Sequence, residues 1–394
     1  MDYDFDKDID RGKNSGTFSS KWNIKEGELA LWVADMDFAT APQICEAIAK
    51  RAQHGIFGYT DVPDEWKAAI ASWWKKKHDF NMKEDALVFC TGVVPAISSI
   101  VRKLTTPGEK VLVQTPVYNI FFNSIINNGR IVVENPLCYK DGLYSVDWDD
   151  LEKKLSDPQV TLMILCNPHN PTGNIWSKEE LSRLGLLCQK YGVTVVSDEI
   201  HCDITERGFA YTPFASVSEV NANLSVSCIS ASKAFNLAGL QSAAIYAENT
   251  RLRHKVSRGL NTDEVAEPNV FAIPATIAAF TEGGPWLERL CDYLTENRKF
   301  AEEFIATRIK DLRPVHARAT YLMWVDCSKI TSNTTSLASF IRKETGLFVL
   351  AGSQYGECGA PFLRLNLACP RFRLKDAMER LEKAVSLFLE RKAG

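Results

Sequence analysis

From about residue 86 the chain repeats one unit: a short apolar run rich in Val, Ile and Leu, a polar turn, then a segment with helical spacing of its apolar residues. A strand that is apolar at successive positions has no polar face, so it must be covered on both sides. Strands joined through helices run parallel, which gives one sheet with helices on both faces. The spacing predicts strands at residues 86–90, 110–114, 161–166, 193–197, 225–229 and 243–247. The expected fold class is therefore α/β, a mainly parallel sheet flanked by helices. Sheets of this kind bind ligands beyond the carboxyl ends of their strands. Polar residues that directly follow the apolar runs are thus the first candidates for a site.

A second, smaller α/β unit is expected after Gly283-Gly284-Pro285. Leu287, Leu290, Leu294, Phe304, Ile305 and Ile309 fall near a 3.6-residue period and predict a helix. A strand is expected at 362–368, followed by a final helix with the apolar stripe Leu374, Met378, Leu381, Val385 and Phe388. The division expected is residues 1–45 as an arm folding back onto the smaller unit, 46–284 as the large unit and 285–394 as the small one.

Composition narrows the partners. The formal charge is −3 without a dominant basic block, which gives no reason to expect a nucleic-acid or membrane surface. No apolar run approaches the ~20 residues of a membrane span, and the start alternates acids (Asp2, Asp4, Asp6, Asp8, Asp10) with other residues, unlike a basic signal peptide. A cytoplasmic protein with a small ligand is expected. The 11 cysteines are odd in number and contain no Cys-x-x-Cys pair, so reduced, mostly buried thiols are expected and no metal site.

Lys233 follows the 225–229 run in Ile229-Ser230-Ala231-Ser232-Lys233-Ala234-Phe235-Asn236. Alone it reads as a loop lysine. Small hydroxylated neighbours suit a lysine that carries a phosphorylated cofactor, because they permit close backbone approach and supply donors. Asp198 ends the run Val193-Thr194-Val195-Val196-Ser197-Asp198, where it reads either as a helix cap or as the acid that keeps a pyridine nitrogen protonated. Asn167-Pro168-His169-Asn170-Pro171-Thr172-Gly173 is a third post-strand loop. Asn170 lies 28 residues before Asp198 and Asp198 lies 35 before Lys233, about one strand-helix-strand unit each, which places the three loops on one sheet edge. Thr91-Gly92-Val93-Val94 opens a helix whose free N–H groups suit a phosphate. Tyr118 could lie against an aromatic ring or fill core, and Arg364, between Leu363 and Leu365, could grip a carboxylate or face solvent.

In this order, Gly92, Tyr118, Asn170-Pro171-Thr172-Gly173, Asp198, Ser230-Ala231-Ser232-Lys233 and Arg364 resemble the fingerprint of fold-type I pyridoxal-phosphate enzymes, the class I/II aminotransferase superfamily. Leu31-Trp32-Val33-Ala34-Asp35-Met36-Asp37-Phe38, His54-Gly55-Ile56-Phe57-Gly58-Tyr59, Asp198-Glu199-Ile200-His201 and Arg364-Leu365-Asn366-Leu367-Ala368-Cys369-Pro370 are similar to its MalY/PatB-type C–S lyases. The resemblance implies pyridoxal 5'-phosphate as cofactor, joined to Lys233 as a Schiff base. It implies Asp198 on the ring nitrogen, Asn170 on the ring hydroxyl and Tyr118 stacked on the ring, with Lys233, Asp198 and Tyr118 carrying the catalysis. Gly92, Val93, Val94, Ser230 and Ser232 would hold the phosphate, and His201 would stand beside the cofactor. Arg364, with Ala34 and Asn170, would bind the substrate. Tyr59 would reach the phosphate of a neighbouring subunit, making a homodimer with shared active sites. The activity implied is β-elimination from cystathionine or related cysteine S-conjugates. An aminotransferase is the first alternative; the second, a regulatory protein that retains the cofactor fold, is expected to need a DNA-binding segment for which there is no room before Leu31.

Overall fold

The computed structural model describes residues 3–393; Asp2 and the two extreme ends of the expected division lie outside them. A seven-stranded sheet runs in the order Leu87–Cys90, Ala243–Tyr246, Ser225–Ile229, Thr194–Asp198, Val160–Cys166, Lys110–Thr115, Ile131–Pro136. Five of these strands pair in parallel, and Ala243–Tyr246 is antiparallel to both of its neighbours. The expected α/β class is the observed one, with one strand more than the apolar runs indicate.

Alternation along the buried strands explains the two-sided cover. Val111, Val113, Ile164, Val196 and Val226 point to one face, where they pack with Ala96, Ile97, Ile100 and Val101 of the helix Val93–Leu104. Leu112, Met163, Leu165 and Val195 point to the other, against Leu181, Leu184 and Cys188 of the helix Lys178–Tyr191. Each such side chain contributes roughly 1.5–3 kcal/mol by leaving water. The Lys178–Tyr191 helix starts at a capping box between Ser177 and Glu180 and stops at Gly192, whose φ of 71° suits the glycine.

A second sheet, Arg313–Pro314, Leu322–Asp326, Phe362–Asn366 and Leu350–Ala351, is antiparallel. Its core shares Ala301, Phe304 and Ile305 of the helix Gly284–Arg308 with Leu374, Met378 and Leu381 of the helix Arg371–Ala393. The strand expected at 362–368 ends at Asn366 because the Asn366 amide oxygen takes the N–H of Ala368 and turns the chain. Leu29–Ala30 pairs in parallel with Leu347–Phe348, which ties the start of the chain to this second sheet. Among the described residues all 11 cysteines are free, and seven of them are buried. No helix among them is long and apolar enough to cross a membrane.

Candidate active site

Strand register builds the site. Cys166, Asp198 and Cys228 are level across three adjacent strands, so the loops after them open on one edge. A cavity of about 240 Å³ lies there, lined by residues that include Ala34, Gly92, Tyr118, Asn170, Asp198 and Lys233. Val93, Val94, His201 and Ser232 also face it. The sequence-derived candidates are thus largely brought together. Three stand elsewhere. The hydroxyl of Ser230 faces inward, donating to Ser242 O (2.6 Å) and accepting from Ser232 N–H (3.0 Å). Tyr59 projects fully into solvent from an extended loop. Arg364, on the strand Phe362–Asn366, is buried outside the cavity lining, and its charge acts on Tyr118, His201 and Lys233.

Lys233 lies in the single helical turn Ala231–Ala234 after its strand, and its Nζ donates to Ala34 O at 2.7 Å. Burial and the Arg364 charge lower its pKa, against the opposing pull of Asp35 and Asp198. Asp198 is buried, accepts only the Ile200 N–H (3.1 Å), and has its pKa pushed up to about 7 by burial, with Glu199 adding to the rise. A buried carboxylate so poorly compensated is suited to a cationic partner. His201 is held neutral, its pKa lowered to about 3 by burial and by the Lys233 and Arg364 charges, and its Nδ1 has no partner.

Other unpartnered atoms point to what the cavity accepts. Asn170 Oδ1 is buried without a donor, and Arg364 keeps Nε and Nη1 free while Nη2 binds Trp32 O at 2.8 Å. Helix Val93–Leu104 begins at Gly92 without a side-chain cap, leaving its first N–H groups facing the cavity. An anion at that helix end, a pyridine nitrogen at Asp198 and an aldehyde at Lys233 match the three functional ends of pyridoxal phosphate. The residues present fit the group. His169, buried and neutral with its pKa near 4, braces the Asn170 loop through Thr172 Oγ1 (2.9 Å) and Gln114 O (3.3 Å).

Cys166 and Ser242 also line the cavity, and no motif in the sequence singles them out. Gln241 lines it as well. It and Ser242 reach this edge because the strand they precede runs backwards, so its beginning lies where its neighbours end. Tyr321, whose hydroxyl donates to Ala34 O at 2.9 Å, carried no local signal at all.

The aminotransferase class I and II profile matches residues 27–381. The chain is 43% identical to cystathionine beta-lyase PatB of Bacillus subtilis, over 97% of this chain and all of PatB. It is 33% identical to protein MalY of Escherichia coli, over 97% of this chain and 99% of MalY. Among solved structures, cystalysin of Treponema denticola, which contains pyridoxal 5'-phosphate, superposes with a TM-score of 0.94 at 31% identity, covering 98% of this chain and 99% of that one. The pyridoxal-phosphate-bound C–S lyase of Staphylococcus hominis gives 0.91 at 32% identity, covering 98% of each. The chain belongs to the class I and II aminotransferase family, on its PatB- and MalY-like side.

Proposed function

We propose that this protein is a pyridoxal-phosphate-dependent carbon–sulfur β-lyase that cleaves cystathionine or related cysteine S-conjugates to a thiol, pyruvate and ammonia. The observation that carries the reading is the cavity that joins Lys233, Asp198 and Asn170 in a chain closely similar to a cystathionine beta-lyase. Pyridoxal phosphate, when bound, supplies an aldehyde for the substrate amine and a ring that draws electrons from Cα. The chain's own residues do the rest. Lys233, with a depressed pKa, takes the Cα proton onto Nζ as general base. Asp198 would hold the ring nitrogen of the bound cofactor and favour its protonated form. Arg364 offers Nε and Nη1 to the α-carboxylate, which fixes the Cα–H bond towards the lysine. Tyr118, on the cavity wall, stays a neutral phenol because burial raises its pKa, and would pack on the ring of the bound cofactor. As Cα–H breaks, the electron pair moves to Cα–Cβ, the Cβ–S bond breaks and the sulfur leaves as a thiolate that takes up a proton. Hydrolysis of the remaining unsaturated amino acid yields pyruvate and ammonia.

Gly92, Val93, Val94 and Ser232 hold the phosphate in this reading, while Ser230 supports the turn that presents Lys233. Ala34 and Asn170 complete the substrate site, and His201 stands beside the cofactor. The working form is a cytoplasmic homodimer in which Tyr59 enters the partner's site. The chain divides into an arm (1–45), a large unit (46–284) and a small unit (285–394) that brings Arg364. Family membership also favours an aminotransferase, which shares every residue role up to proton removal. A panel of cystathionine, cystine, cysteine and aryl-cysteine conjugates, scored for pyruvate without any keto acid, tests the reading: release from at least one thioether supports it, and none from any despite full cofactor loading contradicts it.

A further inference from the structure

The segment between Trp32 and Phe38 lies across the site as a strap whose carbonyls are taken one by one by distant side chains. Trp32 O accepts from Arg364, Val33 O and Asp35 O from Asn366, Met36 O from Arg11 and Asn236, and Phe38 O from Asn236. Ala34 O is different. Its donors are the reacting lysine and a phenol: it accepts from Lys233 Nζ at 2.7 Å and from Tyr321 Oη at 2.9 Å. Tyr321 is almost fully buried just before the strand Leu322–Asp326, with its ring edge-on to His201 at 6.2 Å.

We propose that Tyr321 is a positioning residue of the reaction: by donating to the oxygen that also receives Lys233 Nζ–H, it weakens that oxygen's hold on the ammonium form and keeps the amine ready to act as a base. An acceptor shared between two donors binds each less strongly than it would bind one, and a carbonyl favours the charged amine over the neutral one. Burial raises the Tyr321 pKa, so the phenol remains a donor across the working range. The strap does not depend on Tyr321 for its place, since Arg364, Asn366, Arg11 and Asn236 hold it on either side. Removing the hydroxyl therefore leaves Ala34 O in position with Lys233 as its sole donor. Other charged and titratable groups around the lysine are Asp35 on the strap, Asp198 at its strand end, Arg364 on the second sheet and neutral His201, with the Tyr118 phenol and the Cys166 thiol lining the same cavity. None of these is altered by Tyr321→Phe.

The inference rests on Lys233 as the reacting amine, and its test needs no substrate, so its failure is separable from failure of the lyase reading. The full-length chain, stripped of cofactor, is exposed to trace acetic anhydride across pH 6–10, and acetylation of Lys233 is read by peptide mass spectrometry against surface lysines. Tyr321→Phe is expected to raise the midpoint of Lys233 reactivity by about 0.3–1 pH unit, a two- to tenfold loss of free amine at neutral pH. Once loaded with cofactor, the variant's kcat profile is expected to move to alkaline pH in the same sense. A midpoint that stays still or falls in a folded Tyr321→Phe protein overturns the proposal. If that variant does not fold, 3-fluorotyrosine placed at 321, a stronger donor of nearly the same size, is expected to lower the midpoint, and an unmoved or raised midpoint overturns it equally.

Discussion

Asp198 and Lys233 are pushed towards neutrality from opposite sides by the same burial, and a bound ring with a cationic nitrogen relieves the acid. Without cofactor, the folded chain holds a proton on Asp198 between the ordinary carboxylate range and pH 7, which the unfolded chain does not. Stability contributed by that proton is present at low pH and is lost as pH rises through about 7, up to on the order of 4 kcal/mol. Cofactor binding supplies the counter-charge, so the rise in melting temperature on loading is expected to be larger at pH 8 than at pH 5. Asp198→Asn is expected to flatten that difference and to lower kcat on the order of a hundredfold or more. Arg364→Lys loses the two-pronged fork, and a rise in KM with kcat/KM down roughly 10–100-fold is expected from steady-state kinetics. Lys233, Asp198 and Asn170 were legible because each directly follows an apolar run. Tyr321 was not, because it meets Lys233 only through the carbonyl of Ala34, 287 residues away in sequence.

At the scale of elements, strands made of buried apolar residues announce themselves, including Leu87–Cys90 at one edge of the large sheet, and the exposed strand at the other edge does not. Ile131–Pro136 has Pro136 and Glu134 in its run and only Asn135 buried, so its pattern resembles a loop. The reversed direction of Ala243–Tyr246 is equally silent, since strand direction is set by its connections and not by its composition. The Asn170 loop depends on one close approach. Gly173 has φ 71°, and a Cβ there would strike the Ala317 Cβ and lie 2.9 Å from Ala319 O. Its carbonyl also accepts the N–H groups of Arg318 and Ala319. Gly173→Ala is expected to destabilise the protein by about 2 kcal/mol or more and to weaken cofactor binding, measured by thermal melting and cofactor titration. Ser177→Ala, which removes a cap on a remote helix, is expected to cost about 1 kcal/mol and leave cofactor affinity unchanged.

For the whole molecule, the proposed shared-site dimer makes a distinct expectation. The extended loop presents Ile56, Phe57 and Tyr59 to solvent in the single chain, a patch whose burial a partner subunit would complete. Tyr59→Ala and Lys233→Ala proteins are each expected to be nearly inactive. Mixed under conditions that exchange subunits, they form heterodimers in which both lesions fall in one site and the other site is intact, so about a quarter of wild-type activity should return. No recovery in mixtures shown to contain heterodimers would place Tyr59 outside the partner's site. The central claim is the fate of the electrons after proton removal, and the number of pyruvate molecules formed per loaded site from cystathionine, with no keto acid present, reads it most directly. β-Elimination predicts many turnovers, equal amounts of pyruvate and homocysteine, and a cofactor that keeps its aldehyde form. Conversion of the cofactor to its amine form after one turnover per site, without pyruvate, would contradict it.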